Sequence, residues 1–455
     1  MRLVRGSSWI YTTCLALSFG VASACVVNAT GKPGGGGEED AGGGGGHDGG
    51  GGGNDGGGGG GNDGGGGGEM DAGPQDPDGG GGGGEDGGGG GGEPNPPPWT
   101  GHDNVPPSQR PPGGLSPNQV PLFVGLGWDD NGYSGLPGSG ASVEGGVHWA
   151  VETIKSYTNA NGTPARATFY LTATYIGTWM SESPVLVKRS WRGAADDEME
   201  IGNHTYAHNH GAQFSVGQWQ QEIQSATDWI RKPWDPNEDV NSPNAANGIG
   251  WQEHLYGFRT PFLEYNDNTL AVVDEKGFYY DCSIEEGWQE DHDGTNYNWP
   301  YTLDHGSPGH EVLVEWGSKE PITNHPGLWE LPVYPVIVPP ELRDTMHSRV
   351  SWFDPASGKI TGFDYNLWVS FSMTKTEFVK TLKYTLDQRL AGNRAPMLLG
   401  VHSDYYSDKY TGAPAATAAE RRAAIKEFLD YARSKQAVQI VSYKHVLDWM
   451  REQAL

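Results

Sequence analysis

Met199-Glu200-Ile201-Gly202-Asn203-His204-Thr205-Tyr206-Ala207-His208 places two histidines four residues apart. Its first half, through Asn203, reads as the end of a strand, so His204 stands where that strand hands over. On a helix, residues four apart lie on one face, one turn above each other, and two imidazoles there can converge on one point. A divalent metal ion accepts two imidazoles together with a carboxylate oxygen. The chain offers that carboxylate upstream, in Asp129-Asp130 at the end of an apolar run. The stretch therefore reads as part of a metal-dependent hydrolytic site. Two surface histidines on a helix have the same spacing, and among 14 histidines one such pair can arise by chance. The rest of the chain has to decide.

Composition removes a large piece of the 455 residues from fold reasoning. Residues 1–24 read as an export signal: Arg2 and Arg5, a short apolar run from Trp9 to Val21, then Ala22-Ser23-Ala24. The apolar run is too short to span a bilayer. Cys25 follows the cleavage site directly, and the segment resembles a bacterial lipobox with Ala22 where leucine is usual. The expectation is an exported protein, either secreted or held at the cell surface or outer membrane through lipid on Cys25. Residues 25–98 then read as a disordered tether, with glycine runs punctuated by Asp, Glu and Asn and closed by Pro96-Pro97-Pro98. Its acidic residues hold much of the formal net charge of −27, and no basic patch offsets them, which excludes a nucleic-acid partner. Calcium-binding Gly-Asp repeats are a weaker reading, because the intervals are irregular. Of three cysteines only Cys282 lies in the remaining domain, so no disulfide framework is expected there.

Residues 99–455 carry an α/β rhythm. Strands are expected at 119–126, 165–172, 200–203, 257–259, 278–281, 396–401 and 437–441. Helices are expected at 147–158, 215–230, 268–276, 375–391 and 415–435. Alternation of this kind implies parallel strands. Asp129, Asp130, His204, Arg259 and His402 all follow strand-like runs, and barrel enzymes gather their sites at that end. Each has a plain structural reading as well. Adjacent aspartates cap turns, a single histidine is often a satisfied core residue, and Arg259 can be a structural ion pair. Trp288, Trp299, Trp316 and Trp329 fall in loop-like stretches, where indoles stack on sugar rings or pack the loops against the barrel.

Taken in order, these segments resemble the polysaccharide deacetylase family (carbohydrate esterase family 4, the NodB homology domain). Its aspartate pair is matched by Trp128-Asp129-Asp130. Its H-[ST]-x-x-H motif is matched by His204 to His208, its R-x-P motif by Arg259-Thr260-Pro261, and its late histidine by His402. The closer resemblance is to arthropod-type chitin deacetylases. It is carried by Gly257-Phe258-Arg259-Thr260-Pro261-Phe262-Leu263, Gly277-Phe278-Tyr279-Tyr280-Asp281-Cys282-Ser283, Trp299-Pro300-Tyr301-Thr302-Leu303-Asp304, Pro326-Gly327-Leu328-Trp329-Glu330 and Asn393-Arg394-Ala395-Pro396.

The resemblance implies a distorted (β/α) barrel and a divalent metal, most often Zn2+, held by Asp130, His204 and His208. It implies Asp129 as the general base, Arg259 as its partner and His402 as the general acid. Asp281 would orient His402, and the backbone N–H of Phe262 would donate to the oxyanion. The implied activity is removal of acetyl groups from N-acetylglucosamine units of a polysaccharide, with chitin-like chains first and peptidoglycan or exopolysaccharide next. An O-acetyl xylan esterase and a catalytically silent surface glycan-binding protein are the other readings, and the filled catalytic positions favour the enzyme. Two positions depart from the family. Gly127-Trp128 precedes the aspartates where Thr-Phe is usual. Gly400 stands two residues before His402, where a leucine usually lines the acyl pocket; Leu398 or Leu399 is the expected substitute.

Overall fold

A strand covered on both faces needs side chains that tolerate full burial at every position, and Leu122–Asp129 has them: all eight residues are buried. In the computed structural model, which describes residues 93–138, 144–180 and 182–455, this strand (β1) is the hub of the sheet. The export signal, Cys25 and nearly all of the tether lie outside the described residues. The strands that follow are β2 (Thr168–Leu171), β3 (Glu200–Asn203), β4 (Gly257–Phe258), β5 (Tyr280–Asp281), β6 (Tyr301–Leu303), β7 (His325–Glu330), β8 (Val336–Ile337), β9 (Lys359–Ile360), β10 (Met397–His402) and β11 (Val438–Val441).

One edge of β1 pairs with β10 along its length, from Val124↔Met397 to Asp129↔His402. The other edge is shared. β11 takes Leu122–Gly125 and β2 takes Gly127 and Trp128. From β2 the sheet runs on through β3, β4, β5 and β7 to β6, and every pairing is parallel except β6 with β7. Helices on the outside, among them Gly146–Lys155, Val216–Arg231, Lys375–Ala391 and Ala418–Arg433, bury their apolar faces against this curled sheet. The result is the distorted (β/α) barrel that the family resemblance implies.

The differences from expectation have local causes. β1 begins at Leu122 and runs on through Gly125 and Gly127, so Asp129 is its last residue rather than part of a following loop. A helix at Pro184–Asp196, absent from the expected elements, buries Val185, Leu186, Trp191 and Ala194, and Lys188 on its buried side is paired at 2.8 Å with Glu238. Ser183 caps that helix and Pro184 opens it, the usual start signals. A final helix, Tyr443–Ala454, starts at the cap Ser442 and packs Tyr443, Val446, Leu447 and Met450 inward.

The segment that follows the tether is fastened to the barrel's outside. Trp99 stacks on Tyr279 with ring centroids 3.8 Å apart. The buried Asp103 accepts from Trp329 Nε1 at 2.8 Å and from Arg451 Nε at 2.6 Å. Arg451 is itself buried, so removing its partner leaves an uncompensated charge in the interior. Asp103→Ala is therefore expected to lower the unfolding free energy of the domain by about 3 kcal/mol, read by denaturant titration.

Candidate active site

The strand ends bring together most of the residues singled out above. Asp129 and His402 are register partners at the ends of β1 and β10. His204 follows β3, and Arg259 follows β4. The two histidines are not on a helix. The chain after β3 turns through Thr205 (φ 68°) and His208 (φ 53°). Glu222, on the helix Val216–Arg231, holds this turn by accepting from the amides of Tyr206 (3.1 Å) and Ala207 (2.8 Å). Asn203 Oδ1 accepts from Thr205 N–H at 2.9 Å. The turn achieves what the helical spacing promised, since the imidazole centroids are 5.1 Å apart.

Asp130, His204 and His208 form a compact donor set, with one ligand atom from each lying within 4.8 Å of the others. Asp130 Oδ1 is 3.1 Å from His208 Nε2 and 3.9 Å from His204 Nε2. The carbonyl of Arg259 accepts from His204 Nδ1 at 2.8 Å, which assigns that nitrogen its proton and leaves Nε2 as a lone-pair donor. Burial holds His204 well below the ordinary imidazole range and also lowers His208, so both rings are neutral. Neither Nε2 makes a hydrogen bond although both are buried. Two orphaned lone pairs facing a carboxylate fit a divalent metal and little else.

Asp129 is fully buried and receives Arg259 Nη1 at 2.8 Å on Oδ1, while Oδ2 has no hydrogen-bond partner. Burial pushes this carboxyl up to about 6, against the pull of the Arg259 guanidinium and of His402. The guanidinium is held on every side. Nε donates to the Cys282 carbonyl at 3.1 Å, Nη2 donates to Tyr443 Oη at 3.1 Å, and its centre lies 4.5 Å from the Tyr170 ring centroid.

Both departures from the family pattern serve this arrangement. A Cβ at 127 would stand 2.9 Å from Arg259 Nη1 and 3.0 Å from Tyr170, so only glycine leaves room for the guanidinium. Gly400 pairs directly with Gly127. A Cβ there would enter the ring of Phe363, which lies with Leu263 and Val333 in a small buried cluster. Phe363, rather than Leu398 or Leu399, occupies the space that a leucine at 400 would use. Leu398 shares the face of β10 that carries Gly400 but packs one step back along the strand, over Gly125, and Leu399 points to the opposite face.

Asp281 does not reach His402. The orienting carboxylate is Asp364: Oδ1 accepts from His402 Nδ1 at 2.7 Å and Oδ2 from the His402 amide at 3.0 Å. Asp281 instead binds Ser283, accepting from Oγ at 2.8 Å and from N–H at 2.9 Å, and pairs with Glu330 across β5 and β7. Burial pushes Asp281 up to about 6, and burial together with the neighbouring Asp281 raises Glu330 well above the usual carboxyl range. Asp364 opens the short helical segment 364–370, 38 residues before His402, with no motif to announce it. Phe262 takes a left-handed backbone (φ 58°), and its ring meets His208 edge-on at 4.6 Å. Of the four tryptophans, Trp299 and Trp329 are core residues, whereas Trp288 and Trp316 line a cleft with Trp352 and Phe353.

Among known proteins, residues 158–280 match the polysaccharide deacetylase family. Chitin deacetylase 8 of Bombyx mori is 25% identical over 342 residues, spanning 75% of this chain and 73% of that protein. Among solved structures, a Mycobacterium smegmatis protein assigned as a polysaccharide deacetylase aligns at 16% identity with a TM-score of 0.43, covering 77% of this chain and 96% of that one. The family 4 carbohydrate esterase of Streptomyces lividans, solved with acetate, aligns at 13% identity with a TM-score of 0.32, covering 70% and 90%.

The paired glycines and the raised Glu330 carboxyl are open to direct measurement. Gly400→Ala is expected to cost about 1–3 kcal/mol in denaturant unfolding, as overpacking does, and much less when combined with Phe363→Ala. Glu330 has a folded pKa raised above its unfolded value, so its contribution is complete at low pH and is lost as pH climbs past the ordinary 4.5 and through the raised value. Glu330→Gln is expected to flatten the decline of melting temperature with rising pH.

Proposed function

The chain belongs to the polysaccharide deacetylase family, and we propose that it hydrolyses the N-acetyl groups of N-acetylglucosamine units in a chitin-like polysaccharide, with peptidoglycan and exopolysaccharide as further polymers. One observation carries the reading: the Arg259–Asp129 ion pair lies next to the Asp130, His204 and His208 donor set, with the Asp364–His402 pair at the end of the neighbouring strand.

An amide is a weak electrophile, and its amine leaves only when protonated. A divalent metal held by Asp130, His204 and His208, with Zn2+ the first choice for this donor set, would polarise the acetyl carbonyl and make a water acidic enough to attack at neutral pH. Asp129 takes the proton of the attacking water on Oδ2, the oxygen that Arg259 leaves unbound. Arg259 fixes the carboxylate from below and stays out of the proton path. The Phe262 N–H donates to the oxyanion that forms as water adds to the carbonyl. As that oxyanion collapses, the carbon–nitrogen bond breaks and His402 gives its Nε2 proton to the amine. Its Nδ1 is committed to Asp364, which keeps the ring in place through both proton movements. Acetate and a free glucosamine amine are the products. The Trp288, Trp316 and Trp352 cleft supplies apolar faces on which pyranose rings could stack.

In the same reading residues 1–24 direct export, residues 25–98 tether the catalytic domain of residues 99–455, and Cys25 carries lipid. No helix among the described residues is long and apolar enough to cross a membrane.

The test is acetate release from N-acetylglucosamine oligomers by the full chain, with chelator and then with zinc restored. Release that chelator abolishes and zinc restores is the expected result. No release from chitin oligomers, peptidoglycan or acetylated xylan by metal-loaded protein would contradict it, and release from acetylated xylan alone would make it an esterase. Asp129→Asn is expected to lower turnover at least a hundredfold while metal content stays unchanged, as measured by metal analysis and single-turnover assays.

A further inference from the structure

The turn that presents the Phe262 amide is strained. Phe262 (φ 58°) and Leu263 (φ 54°) are consecutive, buried, non-glycine residues in the left-handed region. Each is a sparsely populated conformation for a residue with a side chain and persists only where its surroundings over-determine it. The surroundings hold this turn at both ends. At the front, Thr260 N–H donates to Ser283 Oγ at 2.9 Å, and Ser283 Oγ donates in turn to Asp281 at 2.8 Å. This is the role the structure gives to Asp281. At the back, the carbonyl of Leu263 accepts from Lys319 Nζ at 2.5 Å.

Lys319 reaches the turn from the segment after the helix Pro308–Glu315, through the left-handed Gly317. Its ammonium lies 4.3 Å from the Tyr265 ring centroid, and Glu285 and Glu264 supply opposing charge. Tyr265 is fixed in turn by His310 at 2.8 Å, and Glu264 by His210 at 3.0 Å. A half-buried lysine whose one hydrogen bond among the described residues goes to a backbone carbonyl is a costly way to stabilise an ordinary loop. It suits a turn whose peptide orientation matters, because an ammonium on the Leu263 carbonyl resists rotation of the neighbouring peptides.

We propose that Lys319 is a positioning residue for the oxyanion donor: it locks the Phe262–Leu263 turn so that the Phe262 N–H is already aimed at the developing charge before substrate binds. The inference rests on the deacetylase reading. It goes further by assigning a function to a lysine outside every motif and far along the chain from the turn it serves.

The test compares full-length wild type, Lys319→Met and Lys319→Arg on N-acetylglucosamine hexamer with zinc bound. The Met variant keeps the length of the side chain and loses the donor. It is expected to lose about ten- to a hundredfold in kcat, less than deletion of an oxyanion donor, with KM and bound zinc unchanged. Lys319→Arg is expected to recover most of the loss. Amide hydrogen exchange at residues 262–264 is expected to speed up in the Met variant, a readout that does not depend on turnover. Unchanged kcat and unchanged exchange in a folded Met variant would overturn the proposal. So would a parallel fall in kcat, zinc content and melting temperature that arginine does not recover, since that is general destabilisation. A wild type that releases no acetate overturns the parent reading and this one together, whereas an active wild type beside an equally active Met variant overturns this one alone.

Discussion

The ion pair between Arg259 and Asp129 is the constraint to which the rest of the site conforms. Both side chains are buried, and a buried charge without its partner costs several kcal/mol. The barrel interior is shaped to prevent that. Gly127 clears the space for the guanidinium, and Gly400, its register partner on β10, clears the space for the Phe363 ring beneath. Tyr170 and Phe363 present ring faces to the cation, and Tyr443 and the Cys282 carbonyl take its remaining donors. Because Arg259 binds one oxygen of Asp129, the other is left bare and buried next to Asp130. Positioning Asp129, the proposed base, and Asp130, the proposed metal ligand, is therefore one structural event, since residues 129 and 130 leave the strand together.

A second layer of carboxylates does the same for the other groups. Asp364 fixes His402, Glu222 fixes the histidine turn, and Asp281 fixes the turn that follows Arg259 through Ser283. Each acts on backbone amides as well as, or instead of, a side chain, so each sets where the chain runs. Burial raises Glu330 beside Asp281, which is the cost of placing so many acids under one sheet: the interior resists their ionisation. The negative charge that counts for chemistry is therefore confined to a few placed groups, while much of the formal −27 resides in the glycine-rich segment.

Much of this was legible in the sequence, for physical reasons. Asp129, Asp130, His204, His208, Arg259 and His402 can be named because the chemistry needs those residue types just after buried strands, and buried strands are readable as apolar runs. The backbone between them was less legible. The helical spacing of His204 and His208 pointed to the right outcome by the wrong route, because left-handed residues and Glu222 build a turn there that no periodicity signals. Asp364 was missed and Asp281 given its place, because contact across 38 residues leaves no local trace while a strand-end aspartate looks right. Gly127 and Gly400 looked like losses against the family pattern; only the sheet register reveals them as a matched pair.

The central claim is that Arg259 acts only through Asp129. A double-mutant cycle on kcat/KM for an N-acetylglucosamine oligomer tests it most directly, with Arg259→Gln, Asp129→Asn and the two combined, each confirmed to be folded and metal-loaded. The account predicts that each single substitution costs about a hundredfold or more and that the double variant is no slower than Asp129→Asn alone. Losses that multiply in the double variant would contradict it, because they would give Arg259 a share in the reaction independent of the base.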